Sequence, residues 1–211
     1  MNVLPHFEGL LHRDDSHSYH GYGKATHSLC NAHLLRDLKY AIERDGQASW
    51  AEPLIELLLK IKEQVERSDG GVLHPAWQGR HRKTYRRLIA EGLRLNPPAV
   101  KRDGSRRGRT AQSKTVNLLL RFRDQEDAIL RFMTKAEACF DNNQAERDLR
   151  MNKVRQKISG GFRSKTAGEE FMAIRSLIST AIKQGADPIE QLVAVFTPGD
   201  KSYMVLADTP E

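Results

Sequence analysis

The segment of this chain best suited to chemistry is Asp141-Asn142-Asn143-Gln144-Ala145-Glu146-Arg147-Asp148-Leu149-Arg150. Its Asp-Asn-Asn run is a helix-capping cluster, so Gln144 to Arg150 should be helical. Glu146 then lies one turn after the Asn142-Asn143 cap, and Arg147 and Arg150, three apart, share a face. A carboxylate flanked by arginines can hold a divalent metal while the arginines hold phosphates. The same spacing describes a capped surface helix with ion pairs, and on spacing alone that plainer reading is the stronger.

Three basic clusters are candidate nucleic-acid contacts. The first is Arg80, Arg82, Lys83, Arg86 and Arg87, and the second is Lys101, Arg102, Arg106, Arg107 and Arg109. The third, Arg150, Lys153, Arg155, Lys157, Arg163 and Lys165, has no acidic residue between its ends. It follows directly on Glu146 and Arg147, where phosphates near a metal would need cationic neighbours. For each cluster a solvated face is the alternative. His27-x-x-Cys30-x-x-His33 has zinc-ligand chemistry, but a closed structural site needs four ligands and no fourth is evident nearby. A buried thiol with hydrogen-bonded histidines is the preferred reading there.

The elements that must position these groups are mostly helices. Residues 9–13 suit a short buried strand ending at Asp14-Asp15, and residues 16–22 a turn or short helix. His27 to His33 leads into a helix carrying Leu34, Leu35, Leu38 and Ile42 at helical spacing. A clear amphipathic helix has Pro53 in its first turn and a stripe of Leu54, Leu57, Leu58, Ile61 and Val65, ended by Asp69-Gly70-Gly71. Residues 75–95 are helical and basic, Asn96-Pro97-Pro98 breaks them, 101–109 is an exposed loop, and another helix spans about 112–134. After Ser159-Gly160-Gly161, residues 166–184 form a helix with Phe171, Ile174, Leu177, Ile178 and Ala181 inward. Gly185 stops it, and Asp187-Pro188 caps a last helix carrying Ile189, Leu192, Val193 and Phe196.

Composition bounds the function. The 211 residues suit one large domain or one domain with an insertion, and 39% hydrophobic residues can build a real core. Lysine plus arginine outnumber aspartate plus glutamate 34 to 27, giving +7. That excess favours a polyanionic partner, nucleic acid or an anionic membrane surface, against an ordinary basic protein. No apolar run approaches the ~18 residues of a membrane span. Met1 to Leu11 has no basic flank before an apolar stretch, so it is neither a signal nor a transit peptide. Two cysteines, Cys30 and Cys139, make no disulfide framework, and a reducing cytoplasm fits best.

Four ordered motifs bring in a resemblance. DNNQAER followed by DLR resembles the signature around the last acidic residue of transposases of the Insertion Sequence 66 (IS66) family, where the glutamate completes an Asp-Asp-Glu metal-binding triad. Glu146 is the matching position. Leu4-Pro5-x-Phe7-x-Gly9 with His12 and Asp14 resembles the strand before the family's second aspartate, which usually has a tyrosine five residues later, as Tyr19 stands to Asp14. Asp15 is the alternative second aspartate. Leu29-Cys30-Asn31-Ala32-His33 through Leu38 is similar to the family's L-C-N-A-H-x-L-R-E-L stretch, and Ser176 to Ala181 with Gly185 and Pro188 to its closing segment. The family's Cys-x-x-His raises a role for Cys30 and His33 near the active site without identifying it.

The resemblance implies an α/β, mostly helical chain: a partial ribonuclease-H-like fold with an α-helical insertion. The division it implies is a partial core with the second aspartate over 1–47, the insertion over 48–134, the glutamate-bearing helical part over 135–197, and a tail over 198–211. It implies DNA strand cleavage and transfer with two Mg²⁺ ions about 3.5–4 Å apart, held by Asp14 and Glu146, which should converge in space. DNA contacts fall on Arg147, Arg150, Lys153, Arg155, Lys157, Arg163 and Lys165. Partners are transposon ends and target DNA, with further copies or other transposition proteins. The family's first aspartate lies on an earlier strand with no counterpart here, which implies an incomplete copy, inactive by itself. The alternatives are a non-catalytic nucleic-acid-binding helical protein derived from such an enzyme, and a structural helical protein with incidental charges.

Overall fold

The computed structural model describes residues 4–100 and 110–197. Within them Leu10–Arg13 (β1) and Thr26–Leu29 (β2) are the only strands, and they pair in parallel with Leu10 opposite Thr26 and Arg13 opposite Leu29. Parallel neighbours need a long connection; residues 14–25 supply it, with one short helical turn at His17–Tyr19. β1 and this turn lie where the sequence suggests them. β2 does not announce itself: Thr-His-Ser-Leu is too short to show alternation, and only its pairing with β1 makes it a strand.

The chain divides into two compact units, Met1–Asn142 and Asn143–Glu211. The first holds the sheet and the helices α1 (Asn31–Asp45), α2 (Ala48–Glu66), α3 (Pro75–Leu95), α4 (Lys114–Asp124) and α5 (Glu126–Ile129). α1 packs on α2, α2 on α3, α3 on α4, and α4 back on α1, while α5 packs on β2. Residues 48–100 and 110–134 are thus helical wherever they are regular, beside a small sheet. The core is apolar at helical spacing. Leu34 and Leu38 of α1, Leu54, Leu58 and Ile61 of α2, Tyr85 of α3 and Phe122 of α4 are all fully buried or nearly so.

Three details depart from the sequence reading. α2 starts at Ala48, so Pro53 lies beyond the first turn. Trp50 and Ala51 are completely buried, and that burial draws the start of the helix back. The single helix expected over 112–134 is instead α4, α5 and a last turn at Arg131–Met133. Distant groups capture the carbonyls a continuous helix would use: Ile129 O accepts from Asn31 Nδ2 at 3.0 Å. Finally, Gly92 of α3 is a contact point rather than a helix weakness. A Cβ there would lie 2.5 Å from Leu119 Cδ2 and 3.1 Å from the Trp50 ring, so only glycine allows this approach of α3.

The second unit contains α6 (Asn143–Ser159), α7 (Lys165–Lys183) and α8 (Pro188–Phe196). Gly160 and Gly161, at φ 68° and 119°, make the break between α6 and α7. Ser164 Oγ caps α7 by accepting from Ala167 N–H at 3.1 Å, and Asp187 Oδ1 caps α8 through Ile189 N–H at 2.7 Å. Asp148 of α6 ties to α7, accepting from Ser179 Oγ at 2.9 Å and Lys183 Nζ at 2.6 Å. Of the α7 residues expected inward, Ala181 is buried and Phe171 packs on Phe162 at 5.2 Å, whereas Ile174 is 40% exposed. Ala181 and Ala194 are the buried apolar residues described in this unit. The basic loop over 101–109 and the tail from residue 198 lie outside the described residues. Among those described, no helix is long and apolar enough to cross a membrane.

Candidate functional site

β1 ends at Arg13, and the two candidate aspartates follow it with different surroundings. Arg13 is buried and locked on every side: Nε donates to His27 Nδ1 at 2.8 Å, Nη1 to the Asp14 carbonyl at 2.9 Å, and Nη2 to Gln125 Oε1 at 3.4 Å. Burial lowers its affinity for the proton, and the carboxylates of Asp15 and Asp14 work against that, so the guanidinium stays charged. Asp15 is clamped by it and by α4. Arg121 Nε meets Asp15 Oδ2 at 2.6 Å, Gln125 Nε2 donates to Oδ1 at 2.9 Å, and Arg13 and His20 lie 3.7 Å from the same oxygen. Asp14 is half-buried and uses only Oδ1, which accepts from Ser16 N–H at 3.1 Å. Among the described residues its Oδ2 has no hydrogen-bond partner.

The segment leading to Glu146 is fastened to this sheet at residues 140–142. Asn31 N–H donates to the Phe140 carbonyl at 2.9 Å, and Asn142 N–H donates to Cys30 Sγ at 3.1 Å. Asp141 lies by His12, the β1 residue whose ring meets Ser28 Oγ of β2 at 3.1 Å. Burial holds His12 below the usual histidine range; Asp141 raises it only in part. The Leu-Cys-Asn stretch therefore works as a fastening. Leu29 is in the core, Cys30 is a buried acceptor, and Asn31 is fully buried and bonded to α5.

His27 is unsuited to zinc, because its second ring nitrogen, Nε2, is hydrogen-bonded to the Tyr22 carbonyl at 2.9 Å. With Nδ1 accepting from Arg13, the Nε2–H tautomer is fixed. His33 stands half-buried in the first turn of α1. Among the described residues no group of three or more histidine, cysteine, aspartate or glutamate side chains is placed to share a metal ion.

In the second unit, Glu146 is exposed in the first turn of α6, where the helix dipole favours negative charge. Arg150, Lys153 and Lys157 follow at four, seven and eleven residues, so they share its face, and all are exposed. Arg147 is exposed on the adjoining flank. Arg155 is directed elsewhere: its guanidinium lies 5.7 Å from the Phe162 ring. Arg163 is exposed in the turn before α7, and Lys165 lies 3.6 Å from Glu169. The run of cations that looks uniform in sequence is thus three residues, Arg150, Lys153 and Lys157, in line with Glu146, and a remainder directed towards the α6–α7 turn.

The first basic cluster also divides. Arg82 Nη1 meets Glu126 Oε1 and Asp127 Oδ1, each at 2.7 Å, and Arg86 Nε meets Glu126 Oε2 at 2.7 Å. Burial raises the Glu126 carboxyl, but the two arginines outweigh it and hold it below the usual range. Arg80, Lys83 and Arg87 remain exposed. The clamp around Asp15 and this second network had no sequence signal, because each joins residues far apart in the chain.

The family described as Transposase IS66 family matches over residues 1–170. That range takes in the strand before Asp14, the Leu-Cys-Asn-Ala-His stretch and the segment around Glu146, while the closing motif from Ser176 lies beyond it. No curated protein and no solved structure matches the chain. With the family match covering most of its length and three of its four motifs, the chain belongs to the IS66 family of transposases.

Proposed function

We propose that this chain serves DNA transposition by metal-dependent strand cleavage and transfer, with Asp14 and Glu146 as two of the carboxylates of an Asp-Asp-Glu site. The observation that carries this reading is the α6 face on which one carboxylate, Glu146, is aligned with Arg150, Lys153 and Lys157. A metal ligand belongs beside cations that take phosphates, because phosphate contacts position the nucleic acid around the reacting bond. Asp14 is the second ligand in preference to Asp15, since a carboxylate already neutralised by Arg121 and Arg13 has little left for a cation.

The donor set fits a hard divalent cation such as Mg²⁺, which takes oxygen ligands: Asp14 retains an oxygen without a partner and Glu146 is exposed. When bound, a pair of such ions would activate the attacking oxygen and stabilise the leaving 3′ oxygen. The chain's own contribution is to present the two carboxylates and to hold phosphates with Arg147, Arg150, Lys153 and Lys157. The reading includes a partial ribonuclease-H-like core over 1–47 and 135–197, with 48–134 inserted. The parallel pairing of β1 and β2 supports it, as does the return of residues 140–142 to that pair. The triad's first aspartate has no counterpart among the motifs here.

The test is strand cleavage of a duplex bearing transposon ends in Mg²⁺, with the 211-residue chain and with the chain joined to the family's aspartate-bearing strand. The chain alone should bind DNA with steep salt dependence and cleave poorly. The joined protein should cleave, and Asp14→Asn or Glu146→Gln should abolish it. No cleavage by the joined protein on correct ends would contradict the catalytic proposal.

A further inference from the structure

We infer that the outward face of α3 is a second DNA-contact surface, made by Arg80, Lys83 and Arg87 with Trp77 at its N-terminal end. The inference rests on the reading of the chain as DNA-binding and adds a place, far in sequence from Glu146, where the duplex is held.

α3 sorts its charges by face. His81, Tyr85, Leu88, Ile89 and Gly92 are its buried face. Arg82 and Arg86 stand on one flank, neutralised by Glu126 and Asp127. Arg80, Lys83 and Arg87 point away from the core, and among the described residues none has an acidic partner. They advance about 10.5 Å along the helix, comparable to the rise along the duplex axis of about three phosphates of one strand at ~3.4 Å each.

Two further residues on this helix stand out: Trp77, whose ring stacks on that of the buried His81 at 6.1 Å yet stays largely open to solvent, and Gly79. Trp77 is 46% exposed, and the Arg80 guanidinium lies 5.0 Å from its ring centre. An exposed tryptophan beside a guanidinium can pack on a deoxyribose while the charge takes the neighbouring phosphate. Gly79 is exposed inside the helix although glycine is among the poorest helix formers. A Cβ there would meet nothing within 4 Å, so no neighbour within the described residues requires its absence, in contrast to Gly92. The lack of a side chain at Gly79 leaves room for a partner lying along the helix. Apart from Trp77 the small residues on this face, Ala76, Gly79 and Ala90, flank its cations, which offers too little apolar area for a lipid surface.

The two tryptophans make the test direct. Trp50 is fully buried, so iodide-accessible emission comes from Trp77. Titrating the full chain at low salt with a 20-base-pair duplex should quench that emission, and Trp77→Phe should remove the signal. Arg80→Gln/Lys83→Gln/Arg87→Gln should abolish the quench and weaken binding at least tenfold. It should also lower the slope of log affinity against log salt by about 3, with an unchanged melting temperature. Gly79→Leu should melt at or above the parent temperature yet bind several-fold more weakly, a pairing that misfolding cannot produce. If the α3 triple variant keeps the parent affinity, slope and quench while Arg150→Gln/Lys153→Gln/Lys157→Gln loses binding, this surface is wrong and the proposed function stands. If the parent chain binds no duplex, both fall. If phosphatidylserine vesicles quench Trp77 and the duplex does not, a membrane replaces DNA as the partner and the inference is overturned.

Discussion

The Asn142 backbone N–H donates to the buried thiol sulfur of Cys30 at 3.1 Å, joining the start of α1 to the residue that precedes α6. It is one of a pair, with Asn31 N–H donating to the Phe140 carbonyl at 2.9 Å. Through them residues 140–142 are tied to the start of α1, directly after β2. Cys30→Ala removes the acceptor and leaves a half-buried N–H. The expected cost is about 1 kcal/mol, read by urea unfolding of the whole chain, with faster amide exchange at Asn142. Unchanged exchange there would show that the contact does not hold this segment.

The two neighbouring aspartates should respond oppositely to neutralisation. Asp15→Asn strips the charge from a carboxylate that faces Arg121 and the buried Arg13, and should destabilise the fold by roughly 1–3 kcal/mol. Asp14→Asn keeps the oxygen that accepts from Ser16 N–H and should change stability by less than about 0.5 kcal/mol. Thermal melts of both variants decide it. A large loss for Asp14→Asn with none for Asp15→Asn would reverse the assignment of ligand and clamp.

Acidification should weaken the first unit. Burial holds His12 below the 6.5 ordinary for histidine, and burial with the nearby Lys60 charge does the same to His81. The native state then resists a proton that the unfolded chain accepts. Stability is therefore full above pH 6.5 and falls as pH drops from 6.5 through the lower native values. Melting temperatures between pH 7.5 and 5.5 should decline, and His81→Gln should flatten part of that decline. A rise in melting temperature on acidification would contradict the burial argument.

Where a property depends on one helix's own period, the sequence displayed it. The stripe from Leu54 to Ile61 faces the core as its spacing requires, the Gly160-Gly161 break lies between two helices, and Asp187 caps α8. Properties that depend on distant partners were hidden. Thr26–Leu29 is a strand only because β1 lies beside it. The helix after Lys114 ends at Asp124, and Ile129 O is taken by Asn31 rather than by its own helix. In the site, Asp14 and Glu146 could be named from motifs, but Asp14 could not be separated from Asp15 without Arg121 and Gln125, more than a hundred residues away. The cations after Glu146 read as one run, and only the helix from Asn143 to Ser159 divides Lys157 from Arg155.

If Asp14 and Glu146 serve one metal centre, iron-directed cleavage of the polypeptide will report it. Fe²⁺ occupies Mg²⁺ sites and, with ascorbate and peroxide, cuts the backbone beside its ligands. On the 211-residue chain in millimolar metal, cuts are expected in two places: after β1 around residue 14, and at the start of α6 around residue 146. Excess Mg²⁺ should suppress both sets together, and either Asp14→Asn or Glu146→Gln should remove both. Cuts at only one of these places, cuts indifferent to the two substitutions, or no cuts at all would contradict a shared metal centre.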